Sequence, residues 1–211
     1  MKKYVFLDFN GTVLDDVDLC LNLLNEMLCE KGKKPLNHEE YKNVFTFPII
    51  EYYKKAGFDF VGYTFEELAD VFIVEYTRRN VSESSIYSDF IEFMNGLKEK
   101  GYSVVLCSAS KKNLLIDQLK YFGIYEYFLD VIGLDDHFAA SKLLLAKNYI
   151  ASHDIDLANS YFIGDTTHDA EVGSECGLNV ILIDRGHQSK EVLSETKNPV
   201  LSSFLEALKV L

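Results

Sequence analysis

Five short apolar runs punctuate the chain: YVFLDF (4–9), YSVVLCS (102–108), FLDVIGL (128–134), SYFIGD (160–165) and NVILID (179–184). Each has the length of a strand, is rich in Val, Ile, Phe and Tyr, and is nearly continuous where a half-exposed strand would alternate. Strands buried on both faces of a parallel sheet read this way. Between the runs the periodicity turns helical. Ser88 opens a segment with Phe90, Met94 and Leu97 on one face, stopped by Gly101. Ser110 is placed to cap a second, with Leu115, Leu119 and Phe122 inward and Gly123 at its end. The alternation predicts an α/β fold, a doubly wound parallel sheet that binds its ligand beyond the carboxyl ends of the strands.

One interval departs from this rhythm. From Asp15 to Ser85 the pattern is helical throughout. Val17, Leu21, Leu24 and Leu28 form one stripe, and Phe65, Leu68, Phe72 and Tyr76 form another. Such stripes are packing surfaces. They predict a helical cap domain over 15–85, inserted after the first strand, with the core domain built from 1–14 and 86–211.

Composition narrows the function. The chain has 211 residues, 33 acidic against 21 Lys and Arg, and a formal net charge of −12. That balance argues against a nucleic-acid partner, which needs clustered basic residues. A small phosphate ester remains compatible, because one site can be locally positive. The four cysteines (Cys20, Cys29, Cys107, Cys176) form no CxxC pair and read as reduced, mostly buried thiols. No stretch of about 18 apolar residues is present, so no membrane span is expected, and the reading is a cytoplasmic protein. Oligomeric state leaves no signature.

The chemistry sits where the apolar runs stop. The first ends on Asp8, followed by Asn10, Gly11 and Thr12, and the chain then turns toward two more acids, Asp15 and Asp16. The second ends on Ser108. Lys142 opens a helical segment after the third, and the fourth ends in GDTTHD, with Asp165 and Asp169. Each has a purely structural alternative. Asp8 would cap a turn, Ser108 or Ser110 a helix, and Asp165 the helix near Thr166; Lys142 would be a solvated lysine and Asp169 an exposed first-turn acid. In a parallel sheet, however, these ends face one crevice, and the set suits phosphoryl transfer. Crowded carboxylates need a hard cation such as Mg2+, and one of them can serve as a covalent nucleophile. A lysine and hydroxyl or backbone N–H donors stabilise the charge on the transferred group.

The order and content of these pieces resemble the haloacid dehalogenase superfamily, in particular its helical-cap phosphatases of the phosphoglycolate-phosphatase type. The likeness spans the whole chain: DFNGT (8–12), Ser108 in VVLCSAS, Lys142 in AASK and GDTTHD (164–169) stand for the four motifs. The resemblance implies a Rossmann-like core with Asp8 as nucleophile and metal ligand. Asn10 would offer its backbone carbonyl to Mg2+, and Asp165 and Asp169 would complete the metal site. It further implies that Ser108, Ala109, Gly11, Thr12 and Lys142 hold the phosphoryl group of a small phosphate monoester.

One position departs from the resemblance. Family phosphatases carry an acid where this chain has Asn10, and that acid protonates the leaving alkoxide and later activates water. An amide does neither, and acid–base assistance is typically worth ~10²–10⁴ in rate. Three readings stay open: a phosphatase that works with Asn10, on good leaving groups or with a borrowed base such as His168; a binding or regulatory protein with little turnover; or a replacement that traps a complex. A dehalogenase would not need the metal motif. Phosphonate cleavage would need a Schiff-base lysine, for which Lys54 and Lys55 are the candidates. FTFPIIEYY (45–53) and Arg78-Arg79 are candidate substrate contacts from the cap.

Overall fold

The structure, a computed structural model, describes residues 1–134 and 141–211. Its strands are β1 (Lys3–Leu7), β2 (Leu14–Asp15), β3 (Ser85–Ile86), β4 (Tyr102–Lys111), β5 (Asp130–Leu134), β6 (Tyr161–Gly164), β7 (Asn179–Ile183) and β8 (Val200–Leu201). Six of them form one parallel sheet in the order β5-β4-β1-β6-β7-β8. β1 lies inside this sheet, and its side chains alternate between two apolar layers. Val5 and Leu7 enter one core cluster with Phe93, Leu97, Leu115 and Phe204, while Tyr4 and Phe6 enter another with Ala146, Phe162 and Val172. Both faces are covered, which is why the run YVFL shows no polar alternation.

The helices fall into two groups. α1 (Val17–Glu30), α2 (His38–Val44), α3 (Ile49–Ala56) and α4 (Phe65–Glu83) follow one another without an intervening strand. They bury a cluster of their own, with Val17, Leu21, Leu24 and Leu28 of α1 against Tyr41, Tyr52, Tyr53 and Leu68, and with Phe65, Phe72 and Tyr76 of the second stripe packed alongside. The remaining helices are α5 (Phe90–Glu99), α6 (Lys112–Tyr121), α7 (Lys142–Ser152), α8 (Thr167–Glu175), α9 (Lys190–Ser194) and α10 (Phe204–Val210). α5, α6 and α10 supply the first of the two sheet layers, and α7 and α8 supply the second.

The structure differs from the sequence pattern in local detail. The second apolar run does not stop at Ser108: β4 continues to Lys111 through an irregularity between Cys107 and Lys111. Ser110 therefore does not cap α6, whose N-cap is Lys111; its hydroxyl donates to Asn10 Oδ1 instead, at 3.2 Å. Asp89, rather than Ser88, precedes α5, and its carboxylate is taken up by Arg185 and the Phe204 N–H. β8 and the antiparallel β2–β3 ribbon escaped the pattern because two residues each carry no readable period. Among the described residues no helix is long and apolar enough to cross a membrane.

Leu24 is fully buried in the α1–α4 cluster. Replacing it with alanine is expected to destabilise the chain by about 2–5 kcal/mol through lost transfer energy and the cavity left behind. Urea unfolding checks this: the midpoint should fall while the slope stays unchanged.

Candidate active site

The sheet topology brings three acids to one place. The Asp8 N–H donates to Ile163 O at 2.9 Å, extending the β1–β6 ladder one residue beyond Leu7. Asp165 follows the last residue of β6 directly. Asp169 sits in the first turn of α8, tied back by a capping box in which Thr166 bonds the Asp169 N–H and Asp169 Oδ2 accepts from the Thr166 N–H and hydroxyl. Gly164 is required here, since a β-carbon would run into the Asp169 side chain. Carboxylate oxygens of Asp8, Asp165 and Asp169 lie within 4.8 Å of one another, and all three residues are buried.

Lys142, the first residue of α7, is 4% exposed, so it is not the solvated lysine of the structural alternative. Its ammonium donates to Asp8 Oδ1 and to Asp169 Oδ1, at 2.5 Å each. Thr12 donates its hydroxyl to Asp165 Oδ1 at 3.0 Å, and the His187 N–H donates to Asp165 Oδ2 at 2.6 Å. Ser108, also buried, stands two residues beyond the Leu7–Leu106 pair on the neighbouring strand, and its hydroxyl oxygen accepts from the Ser110 N–H. Ala109 follows it at the surface. Burial pushes the Asp8 carboxyl up to about 8 against the pull of Lys142, with Asp169 and Asp165 adding to the rise. Burial also lifts Asp165 to about 6 against the opposing pull of His187. At Asp169 burial acts in the same direction, but Lys142 and Thr166 outweigh it and hold the group below its ordinary value.

Asn10 occupies the end of a second buried network, one that the strand-end reading missed. Its Nδ2 donates to Asp16 Oδ2 at 2.8 Å and to the Tyr76 hydroxyl oxygen at 2.6 Å. Asp16 Oδ1 accepts the Gly11 N–H at 2.8 Å and faces His187 Nε2 at 3.3 Å. His187 Nδ1 meets the Tyr41 hydroxyl at 2.8 Å, and the Phe45 ring stacks on the imidazole with centroids 5.0 Å apart. Burial would lower the imidazole's affinity for its proton, but the Asp16 carboxylate more than compensates and pushes His187 up to about 9. Asp16 is held low by His187, Tyr76 and Asn10 in spite of its burial. A signal for these residues existed. Asp16 follows the first motif closely, and His187 lies three residues past Asp184, where the fifth apolar run ends.

The comparisons with known proteins agree with this geometry. A family profile described as haloacid dehalogenase-like hydrolase matches residues 5–183. The chain belongs to the haloacid dehalogenase-like hydrolase family. A phosphoglycolate phosphatase of Caulobacter vibrioides is 24% identical over 97% of this chain and 89% of its own length. Another phosphoglycolate phosphatase, from Psychrobacter arcticus, is 21% identical over 88% of this chain and 85% of its own. Both relatives are phosphatases by name, within the hydrolase family to which the chain belongs. Among solved structures, a haloacid dehalogenase-like family hydrolase from Streptococcus pneumoniae superposes with a TM-score of 0.82 at 17% identity, covering 99% of this chain and 98% of that one. A predicted phosphatase from Clostridium acetobutylicum gives 0.78 at 20% identity, covering 100% and 98%. These likenesses carry the fold.

The donor set of this hydrolase fits a divalent metal. Three buried carboxylates crowd together with one ammonium that pairs with two of them, and burial first, then the neighbouring carboxylates, raise the affinities of Asp8 and Asp165 for protons. A divalent cation removes that excess, and an all-oxygen set suits a hard ion. Other candidates fall away from the cluster. His168 pairs with Glu171 at 3.3 Å and lies against the Phe47 ring. Lys54 is exposed and bonded to Glu51, and Lys55 is exposed. Arg78 pairs with Glu75, and Arg79 with Glu26 and Glu83. Of the segment 45–53, Phe45 and Phe47 reach His187 and His168.

A pH dependence of metal stabilisation follows. Asp8 and Asp165 hold their protons more tightly folded than unfolded, so the metal-free chain loses stability as pH rises from 3.8 through about 6 and then about 8. A bound divalent cation reverses that loss. The increase in Tm on adding a divalent cation, tested with Mg2+, should therefore be several degrees larger at pH 8 than at pH 5, at about 2–4 °C per kcal/mol for a chain of this size. Differential scanning calorimetry at the two pH values tests this, and an equal shift at both would contradict the assignment of the cluster.

Proposed function

We propose that this chain is a Mg2+-dependent phosphatase that hydrolyses a small phosphate monoester through an aspartyl-phosphate on Asp8, with Asn10 in place of the usual acid–base aspartate. The observation that carries the reading is the buried Lys142 ammonium shared by Asp8 and Asp169, with Asp165 beside them. An Asp8 oxygen attacks phosphorus; its bond to phosphorus forms as the bond to the ester oxygen breaks, and the leaving group departs as its oxyanion, which takes up a proton from solvent. Water then attacks the acyl phosphate, releasing orthophosphate and restoring Asp8. Lys142 fixes the orientation of Asp8 and stays close to the charge on the phosphoryl group. Ser108 and Ala109 supply donors to its oxygens, while Gly11 and Thr12, expected beside them, give the N–H and the hydroxyl to Asp16 and Asp165 and shape the loop instead. Mg2+, held by Asp8, the Asn10 carbonyl and Asp165 with Asp169 in support, would add positive charge where the transferred oxygens gather.

The helices α1–α4 act as a cap that closes over this site and selects the substrate. Asn10 sets a condition on that substrate. Its amide has no proton to give near neutral pH, so the leaving group must depart as a weak base. Aryl or acyl phosphates meet that condition better than alkyl esters, the class to which the relatives' phosphoglycolate belongs. The substrate is a small molecule, consistent with an acidic protein that has no use for nucleic acid, and the working compartment is the cytoplasm. A second reading, a phosphoester-binding protein with little turnover, draws on the engagement of the Asn10 amide within the protein by Asp16, Tyr76 and Ser110.

Turnover separates the two. Phosphate release from an aryl phosphate is expected with Mg2+ and not without it, and Asp8→Asn should abolish it. Asn10→Asp should raise kcat tenfold or more, because it restores an acid whose proton the neighbouring Asp16 holds in place by repulsion. An Asn10→Asp variant no faster than the parent would show that position 10 is misread. Phosphoester binding without turnover would favour the second reading.

A further inference from the structure

Beside the carboxylate cluster lies a second buried group of different chemistry. Asp16 precedes α1 and Cys20 lies in its first turn, four residues on, so both side chains share one face of the helix. His187 comes from the chain after β7. Asp16 Oδ1 lies 3.3 Å from His187 Nε2, and Asp16 Oδ2 lies 3.8 Å from Cys20 Sγ. One donor atom from each residue falls within 4.8 Å of the other two, and all three residues are buried. A tetrahedral zinc ion with ordinary bond lengths sets nitrogen, oxygen and sulfur ligands roughly 3.3–3.6 Å apart; the two oxygens of Asp16 already stand 3.3 Å from the imidazole nitrogen and 3.8 Å from the sulfur, so a small adjustment would seat the ion.

We propose that Asp16, Cys20 and His187 form a second metal site, of the zinc class, that clamps α1 to the core domain. The surroundings are those of ligands already oriented. His187 presents Nε2 to the site while Tyr41 holds Nδ1, and Asp16 is fixed by the Gly11 N–H, Asn10 and Tyr76. Outer partners of this kind set ring orientation and ligand basicity. On binding, the thiol proton passes to solvent, so that the ion meets one carboxylate, one thiolate and one imidazole nitrogen. Sulfur and nitrogen donors disfavour Mg2+, so the magnesium that serves Asp8 does not compete here. The site stands apart from the phosphatase reading, and its occupancy does not require turnover.

Co2+ provides the test, as a coloured stand-in for Zn2+. The full chain, saturated with Mg2+ and carrying Cys29→Ser to remove the exposed thiol, is titrated with Co2+. One equivalent should produce a thiolate-to-cobalt charge-transfer band and the strong visible bands of four-coordinate cobalt, and Zn2+ should bleach both. Adding Cys20→Ser should abolish the charge-transfer band. His187→Gln should weaken binding at least ~100-fold, more than the loss of an outer partner costs. No band at one equivalent, or a band that survives Cys20→Ser, would overturn the site. If Cys20→Ser does not fold, X-ray absorption on the zinc-loaded Cys29→Ser protein decides. One sulfur at about 2.3 Å supports the proposal, and a shell of oxygen and nitrogen alone refutes it.

Discussion

A single buried ammonium holds the candidate site together. Lys142 Nζ lies between Asp8 and Asp169, and almost no solvent reaches any of the three. Without it, the carboxylates at the ends of β1 and β6 and in the first turn of α8 would repel one another in a medium that screens poorly. Everything else is arranged around this contact. Ser141 caps α7 so that its first residue points inward, Gly164 leaves room for Asp169, and Thr12 and the His187 N–H occupy Asp165. One cation cannot balance three carboxylates, and the remaining charge is what makes the place fit for a divalent metal.

Asn10 is best understood through its neighbours. A carboxylate at that position would face Asp16 across 2.8 Å; the amide donates instead, and with the same nitrogen it reaches Tyr76 of α4. The amide thus ties the helical layer to the loop that carries Asp8. The same amide has no proton to give near neutral pH. His187 and Tyr41 make a second tie of the same kind, with Phe45 stacked on the imidazole. Position 10 and Asp16 therefore belong to one device, in which an amide donor stands beside an acid that His187, Tyr76 and Asn10 hold below its ordinary value.

Much of this could be read from the chain. β1 showed itself because both its faces are covered, and Asp8, Asp165, Asp169 and Lys142 stood out because a charge at the end of a buried strand or the start of a helix has few structural reasons. Helical periodicity exposed α1 and α4 through their apolar stripes. What stayed hidden depends on contacts between distant segments. Ser110 looks like a helix cap in sequence, but the longer β4 turns its hydroxyl to Asn10. Asp16 looks like one more acid in an acidic loop until Tyr76, sixty residues on, is seen to bond it. His187 has no periodic context at all. His168 stands beside Asp169 in sequence but faces Glu171 and Phe47, because adjacent positions on a helix point in different directions.

The central claim is that Asp8 itself receives the phosphoryl group, and one measurement addresses it most directly. The chain is mixed with an aryl phosphate and Mg2+, quenched in acid during turnover, and treated with borohydride, which reduces an aspartyl-phosphate to homoserine. Peptide mapping by mass spectrometry then locates the altered residue. Homoserine at position 8 alone is the predicted result; phosphate release with Asp8 unmodified, or modification at another residue, would contradict the account.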